Sequence, residues 1–158
     1  REGNQGRKLL VAEGLIQPKT ITTQAGWITL FEMKPKGRML LRDLGYEVKD
    51  ELTEGVEHKF WKEELARHYR SQGYDVEVEK ERNGKADVVA SRPGRRIAVE
   101  IESGESDFLG NLERDLKAGF EEILCVAVNR EVKEKLARII PQNNRIKLVL
   151  ASEFSAFL

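Results

Sequence analysis

Three acidic residues stand inside two short apolar stretches near the middle of the chain. Asp87 lies in the first stretch, and Glu100 and Glu102 lie at next-but-one positions in the second. Successive side chains of a β-strand point to opposite faces, so both glutamates are expected on one face. A two-residue turn at Pro93-Gly94 would place Asp87 opposite Glu100, whereas a bulge there would shift the pairing by one residue.

Carboxylates brought this close together need a compensating charge. Each negative charge raises the pKa of its neighbours and opposes their ionisation. Mg²⁺ or Mn²⁺ resolves the conflict, because these cations prefer carboxylate oxygens and keep bound water. One such water can become the nucleophile of a hydrolysis. The three acids therefore indicate a metal-dependent hydrolytic site.

The helix predicted over residues 57–72 offers further polar groups to this site. Glu57, His58 and Glu64 lie on or beside the face of its apolar stripe, which is the face expected to look into a sheet. His58 stands at the helix start and is the strongest accessory candidate of the three. The alternative is that His58 caps or packs the helix.

A second helix, predicted over residues 107–118, carries a lysine near its end. Lys117 follows Leu116 of the apolar stripe and could reach back to the carboxylates. The alternative is a solvated lysine, which the helix dipole favours at a helix C-terminus.

The pattern of helices and strands predicts how these groups are positioned. From residue 57 onward, the apolar periodicity indicates one helix, three strands, and then strands that alternate with helices. The first three strands can pair as an antiparallel meander, and the last two arrive through helical crossovers, so each lies parallel to a neighbour. We therefore expect an α/β fold with a mixed five-stranded sheet flanked by helices. The predicted strands are 74–80, 86–90, 96–102, 123–128 and 146–150.

The first part of the chain differs in charge from the rest. Residues 1–42 contain eight lysines and arginines against three acidic residues, although the whole chain has 27 of each. A basic surface of this kind suits a polyanion, and an ordinary solvated surface is the alternative. A helix over 6–15, a hairpin of strands 20–23 and 27–33, and a helix over 36–44 resemble the second half of a winged-helix domain.

That resemblance implies DNA as the partner of the basic residues. Since a winged helix has two more helices before this part, we expect the chain to be a piece of a longer protein. A polar segment places the boundary between regions 1–52 and 53–158. The residues expected to contact DNA are Arg7, Lys8, Lys19, Lys34, Lys36 and Arg38.

Composition excludes several classes of protein. The chain has 158 residues and is 40% hydrophobic, which is enough for a core without disulfides. The single cysteine, Cys125, excludes a disulfide framework and a cysteine-based zinc cluster. No apolar run approaches the roughly 18 residues of a membrane span. We expect a cytoplasmic protein with no membrane partner.

The acidic motif resembles that of the PD-(D/E)XK nuclease superfamily, which includes restriction endonucleases and archaeal Holliday-junction resolvases. Asp87 is followed, after twelve residues, by Glu100-Ile101-Glu102, with a helix before and a helix after. The resemblance covers about residues 56–150. It implies that Asp87, Glu100 and the main-chain carbonyl of Ile101 bind Mg²⁺ or Mn²⁺.

The resemblance also implies a function, and the sequence departs from the family at one position. The family's catalytic lysine falls on Glu102, a residue type that some restriction endonucleases carry there, and Lys117 could replace it. The predicted activity is metal-dependent cleavage of DNA, in which Asp87, Glu100, Glu102 and Lys117 take part. Cutting both strands needs two sites, which a homodimer would provide. The alternative is a DNA-binding module that does not cut, similar to C-terminal regions of DNA-handling ATPases.

Overall fold

A computed structural model describes residues 2–48, 54–79 and 84–154 of the chain. The chain forms two compact units, of which the first comprises Arg1–Thr22 with Trp27–Glu57 and the second Thr23–Gly26 with His58–Leu158. The boundary predicted between residues 52 and 53 lies outside the described residues.

The first unit contains two helices and a two-stranded sheet. Helix α1 spans Glu2–Ala12, strands β1 and β2 span Ile16–Thr23 and Gly26–Met33, and helix α2 spans Pro35–Asp43. The order of helix, hairpin and helix is the predicted one. Strand β1 starts four residues before the predicted position, since an edge strand tolerates the missing N–H of Pro18.

Helix α2 packs closely on the segment before β1. Pro35 occupies its first turn, where a missing backbone N–H costs nothing. Gly37 is the buried residue of this helix, and a Cβ at that position would collide with the carbonyl oxygen of Leu15. The same oxygen accepts a hydrogen bond of 2.9 Å from the backbone N–H of Lys34. The packing therefore requires glycine at position 37.

The second unit is a mixed α/β structure. Its five-stranded sheet has the order β3-β4-β5-β6-β7, in which β3, β4 and β5 are antiparallel and β5, β6 and β7 are parallel. This confirms the predicted fold class, with the sheet flanked by helices. The elements are α3 (Val56–Ser71), β3 (Asp75–Val78), β4 (Val88–Arg92), β5 (Arg95–Glu102), α4 (Phe108–Lys117), β6 (Glu122–Ala127), α5 (Arg130–Ala137), β7 (Ile146–Leu150) and a 3₁₀ turn (Ala151–Glu153).

The turn between β4 and β5 has two residues. Arg92 pairs with Arg95 and Val88 pairs with Val99, so the register is the one expected without a bulge. Strand β4 begins at Val88, two residues later than predicted, and Asp87 directly precedes it. The backbone N–H of Glu79 donates to the carbonyl of Asp87 at 2.9 Å, which holds Asp87 beside β3.

The face of the sheet that carries the two glutamates is covered by apolar side chains of α4 and α5. Strand β5 is buried from Ile97 to Glu102, and β6 from Ile123 to Ala127. The glutamates of β5 therefore lie in an environment from which bulk water is excluded. The buried cluster consists of Ala86, Ala98, Phe108, Leu112, Phe120, Ile123, Cys125, Ala127, Val132 and Leu136.

Helices of the described ranges are all too short or too polar to cross a membrane.

Candidate functional site

Asp87 is held at both of its carboxylate oxygens. The backbone N–H of Ile101 donates to Oδ2 at 2.7 Å, and Oδ1 lies 2.9 Å from Nε2 of His58. Asp87 is only 9% exposed, so these two contacts set its orientation. His58 is in the first turn of α3, and the structure brings it to the acidic motif as the helical spacing predicted. An imidazole nitrogen and a carboxylate oxygen thus stand at metal-ligand spacing.

Glu100 and Glu102 point to the same side of β5. Glu100 accepts a hydrogen bond from Nη2 of Arg114 on α4, and Glu102 accepts one from the hydroxyl of Ser106 just before that helix. Both carboxylates therefore lie on one side of β5, as the alternation of the strand predicted, and that side faces α4. Both side chains are buried.

Arg114 joins Glu100 to a fourth acidic residue. Its Nε donates to Oδ1 of Asp115 at 2.9 Å, and its Nη1 donates to Oδ1 of Asn111 at 3.2 Å. Asp115 is 1% exposed, although it is an acid on a helix. We name Asp87, Glu100, Glu102 and Asp115, with Arg114, the carboxylate cluster.

The carboxylate cluster contains four carboxyl groups and one arginine, and two of its acids have raised pKa values. Burial is the main reason that the pKa of Glu100 rises to about 10, and the neighbouring carboxyl groups of Asp87 and Asp115 add to it, while Arg114 opposes it. Burial also raises the pKa of Glu102, which the Ser106 hydroxyl partly offsets. A further cation beside these acids would favour their charged forms and so lower the raised pKa values.

Two buried oxygens of the cluster could accept further positive charge. Oε1 of Glu102 and Oδ2 of Asp115 are buried and have no hydrogen-bond partner among the described residues. A buried acceptor without a donor costs free energy. Carboxylate and carbonyl oxygens are the donors that Mg²⁺ and Mn²⁺ prefer, so the residues present fit such an ion.

Cys125 lies beside the carboxylate cluster on the neighbouring strand. It is the backbone partner of Glu100 across the β5–β6 pair, and it is fully buried. Burial raises the pKa of its thiol, and the charges of Glu102 and Glu100 raise it further. The thiol is therefore protonated and is not a nucleophile of this site.

The other predicted acids do not join the cluster. Glu64 is buried and pairs with Arg67 of the same helix at 2.6 Å. Glu57, which belongs to the first unit, pairs with Lys19 at 3.2 Å. His58 is thus the accessory candidate from α3 that meets the acidic motif.

Lys117 is not brought to the carboxylates either. Its side chain is 75% exposed, and Nζ lies 2.7 Å from Glu113 one helical turn earlier. Adjacent positions on a helix differ in direction by about 100°, so a residue next to the stripe residue Leu116 can face solvent. The cation that does reach Glu100 is Arg114, which the sequence analysis did not select. A sequence signal existed for its neighbour, because Asp115 follows Phe108 and Leu112 at core-facing helical spacing.

The basic residues of the first unit divide into two groups. Lys8 and Lys34 are exposed, and their side chains have no partner within the described part of the chain. The other four predicted DNA contacts each have a partner within the unit. Their contacts are Arg7 with the ring of Phe31, Lys19 with Glu57, Lys36 with Glu13, and Arg38 with the carbonyl of Met33.

Comparison with known proteins assigns this chain to no family. No protein-family model matches this chain, and no curated protein matches it. It is similar to a solved structure described as "Crystal Structure of Protein of Unknown Function AF1548", with 20% sequence identity and a TM-score of 0.39. The match covers 59% of this chain and 59% of that chain. A likeness at this level assigns neither family nor function.

Proposed function

We propose that this chain is a metal-dependent DNA endonuclease, or the nuclease-like module of a larger DNA-processing protein. The observation that carries the proposal is the carboxylate cluster. Asp87, Glu100 and Glu102 converge on one face of the sheet, where burial is the main cause that raises the pKa values of Glu100 and Glu102. Natural cores avoid such groups unless a partner balances them. Their resemblance in spacing to the PD-(D/E)XK motif gives the reaction class, phosphodiester hydrolysis.

Asp87, Glu100 and the main-chain carbonyl of Ile101 are the groups that would hold Mg²⁺ or Mn²⁺. Such an ion, when bound, polarises a phosphate and lowers the pKa of a bound water. Neighbouring residues of the chain hold these carboxylates in position. The backbone N–H of Ile101 and the ring of His58 fix the Asp87 carboxylate, and the Ser106 hydroxyl fixes Glu102.

DNA is the proposed substrate because of the charge of the first unit. Lys8 and Lys34 present exposed ammonium groups to solvent. Neutralising DNA phosphates releases counterions, which drives binding at low salt. A second copy of the chain would supply the second cut of a duplex. We also propose a cytoplasmic setting, with which the single cysteine is consistent.

A DNA-binding module that does not cut is the second candidate. Two observations favour it. Glu102 stands where the family's lysine would lie, and Arg114 already donates to Glu100, a proposed metal ligand. In this case the carboxylate cluster is a structural remnant of the motif.

Nicking of supercoiled plasmid DNA separates the two candidates. We expect cleavage with Mg²⁺ or Mn²⁺ and none with a chelator, and Asp87→Asn should reduce the rate at least about 100-fold because the ligand charge is lost. Asp75→Asn is the matched control, since Asp75 is an exposed acid of the same unit. Equal cleavage by Asp87→Asn and the unmodified protein would contradict the proposed site. Retained DNA binding without metal-dependent cleavage would favour the second candidate.

A further inference from the structure

Arg114 is the arginine of the carboxylate cluster and donates hydrogen bonds to two of its acids. It donates to three separate acceptors, on Glu100, Asp115 and Asn111. Two of these acceptors belong to carboxylates that are nearly inaccessible to water. Since buried acceptor oxygens are costly without donors, these hydrogen bonds from Arg114 stabilise the metal-free site.

The same guanidinium retains capacity for another ligand. An arginine has five N–H donors, and the three hydrogen bonds use three of them. The side chain is 30% exposed, whereas those of Glu100 and Asp115 are 5% and 2% exposed. Arg114 is therefore the part of the cluster that a solute can reach. A planar guanidinium matches the oxygens of a phosphate in pairs.

The position of Arg114 also creates a conflict. Glu100 cannot give the same oxygen fully to the guanidinium and to a divalent cation. Meanwhile, Oε1 of Glu102 and Oδ2 of Asp115 lack hydrogen-bond partners among the described residues, so these two oxygens can accept added positive charge.

We propose that Arg114 holds Glu100 until a divalent cation binds, and that the released guanidinium then binds a phosphodiester of the substrate. This inference rests on the proposed function and adds to it the residue that contacts the phosphate. It makes binding of the cation and of the phosphodiester mutually favourable. Coupling of this kind is commonly about 5- to 150-fold in affinity.

Mn²⁺ affinity of the full chain, measured by electron paramagnetic resonance, tests the coupling. The phosphate probe is dimethyl phosphate, a phosphodiester without a nucleic-acid chain. In the unmodified protein we expect saturating dimethyl phosphate to tighten Mn²⁺ binding at least about 5-fold. In Arg114→Gln we expect Mn²⁺ to bind more tightly without dimethyl phosphate, and the effect of dimethyl phosphate to disappear. Arg138→Gln removes one exposed charge at the end of α5 and should behave as the unmodified protein.

Three outcomes of this experiment have different meanings. An unchanged coupling factor in Arg114→Gln, with Mn²⁺ binding that still depends on Asp87, overturns the inference and leaves the proposed metal site intact. Absence of any Asp87-dependent Mn²⁺ binding overturns the proposed function, and the inference with it. Loss of coupling in Arg114→Gln but not in Arg138→Gln supports the inference.

A measurement on the unmodified protein covers the case in which Arg114→Gln does not fold. The Nε–H resonance of Arg114 can be assigned by its absence in Arg114→Lys, which keeps the charge. We expect this resonance to shift when Mg²⁺ is added, and to shift again with dimethyl phosphate. If the resonance does not shift with Mg²⁺, although Asp87-dependent binding of the metal ion is observed, the inference is overturned.

Discussion

Replacing Glu100 by glutamine should remove a pH dependence of stability from the metal-free protein. Burial raises the pKa of Glu100 to about 10, from an ordinary value of 4.5. Between these values the folded chain holds a proton on Glu100 that the unfolded chain has lost. The stabilisation from this group is complete below pH 4.5 and is lost as the pH rises towards the folded pKa.

The size of this effect follows from the proton count. One proton bound only by the folded state changes the free energy of unfolding by about 1.4 kcal/mol per pH unit. From pH 6 to pH 8, the second unit should therefore lose about 3 kcal/mol of stability because of Glu100. In Glu100→Gln the amide has nearly the same shape and does not ionise, so this contribution should vanish.

Urea denaturation at pH 6, 7 and 8, in the presence of a chelator, measures how the free energy of unfolding changes with pH. Trp61 of α3 is fully buried and reports the second unit, whereas Trp27 of β2 is 82% exposed. A Trp27→Phe background therefore leaves Trp61 as the fluorescent reporter. Glu102 has a raised pKa as well, but it is present in both proteins and cancels in their comparison.

Two results would refute this reasoning. One is a free energy of unfolding that stays level or rises between pH 6 and pH 8 in the protein with Glu100. The other is an identical slope in Glu100→Gln. The control Asp75→Asn, which removes an exposed carboxylate, should keep the slope of its parent.

Three further predictions concern the first unit and helix α5. Gly37→Ala should destabilise the protein by about 1–3 kcal/mol in thermal unfolding, because the added Cβ meets the backbone at Leu15. Gly6→Ala, in helix α1 where nothing lies near the glycine, should stabilise it by about 0.5–1 kcal/mol. Equal stability of the two variants would contradict this. Lys8→Gln and Lys34→Gln should each weaken DNA binding and reduce the salt slope of the affinity by about 1, and unchanged slopes would remove these lysines from the interface. Asn129→Ala should cost about 1 kcal/mol in urea, because its side chain accepts from Val132 N at the start of α5; no measurable cost would exclude that cap.

Much of the fold could be predicted from local patterns. Period-two runs and turn residues locate the strands, and the pair Pro93-Gly94 sets the β4–β5 register that places Asp87 next to Glu100. Strand alternation then predicts that Glu100 and Glu102 share a face. Each of these inferences depends on neighbours in the chain or on one tight turn.

The counter-ion of the cluster could not be predicted in this way. Arg114 meets Glu100 because α4 packs across β5, and the rotation of a helix on a sheet depends on all the side chains between them. The sequence does not distinguish Lys117 from Arg114, since both lie within one helical turn of the stripe residue Leu116. The structure separates them: Lys117 faces solvent beside Glu113. The roles of Asp87, Glu100 and Glu102 in catalysis stay predictions.

The buried thiol of Cys125 can report how often strand β6 becomes exposed to solvent. It is the single cysteine of the chain, and its raised pKa makes it unreactive while β6 stays between β5 and β7. Its rate of labelling by a thiol reagent thus measures how often that strand becomes exposed, without any engineered probe. A cation that strengthens the carboxylate cluster across β5 should slow the labelling, so one untouched residue gives both local stability and site occupancy in the same experiment.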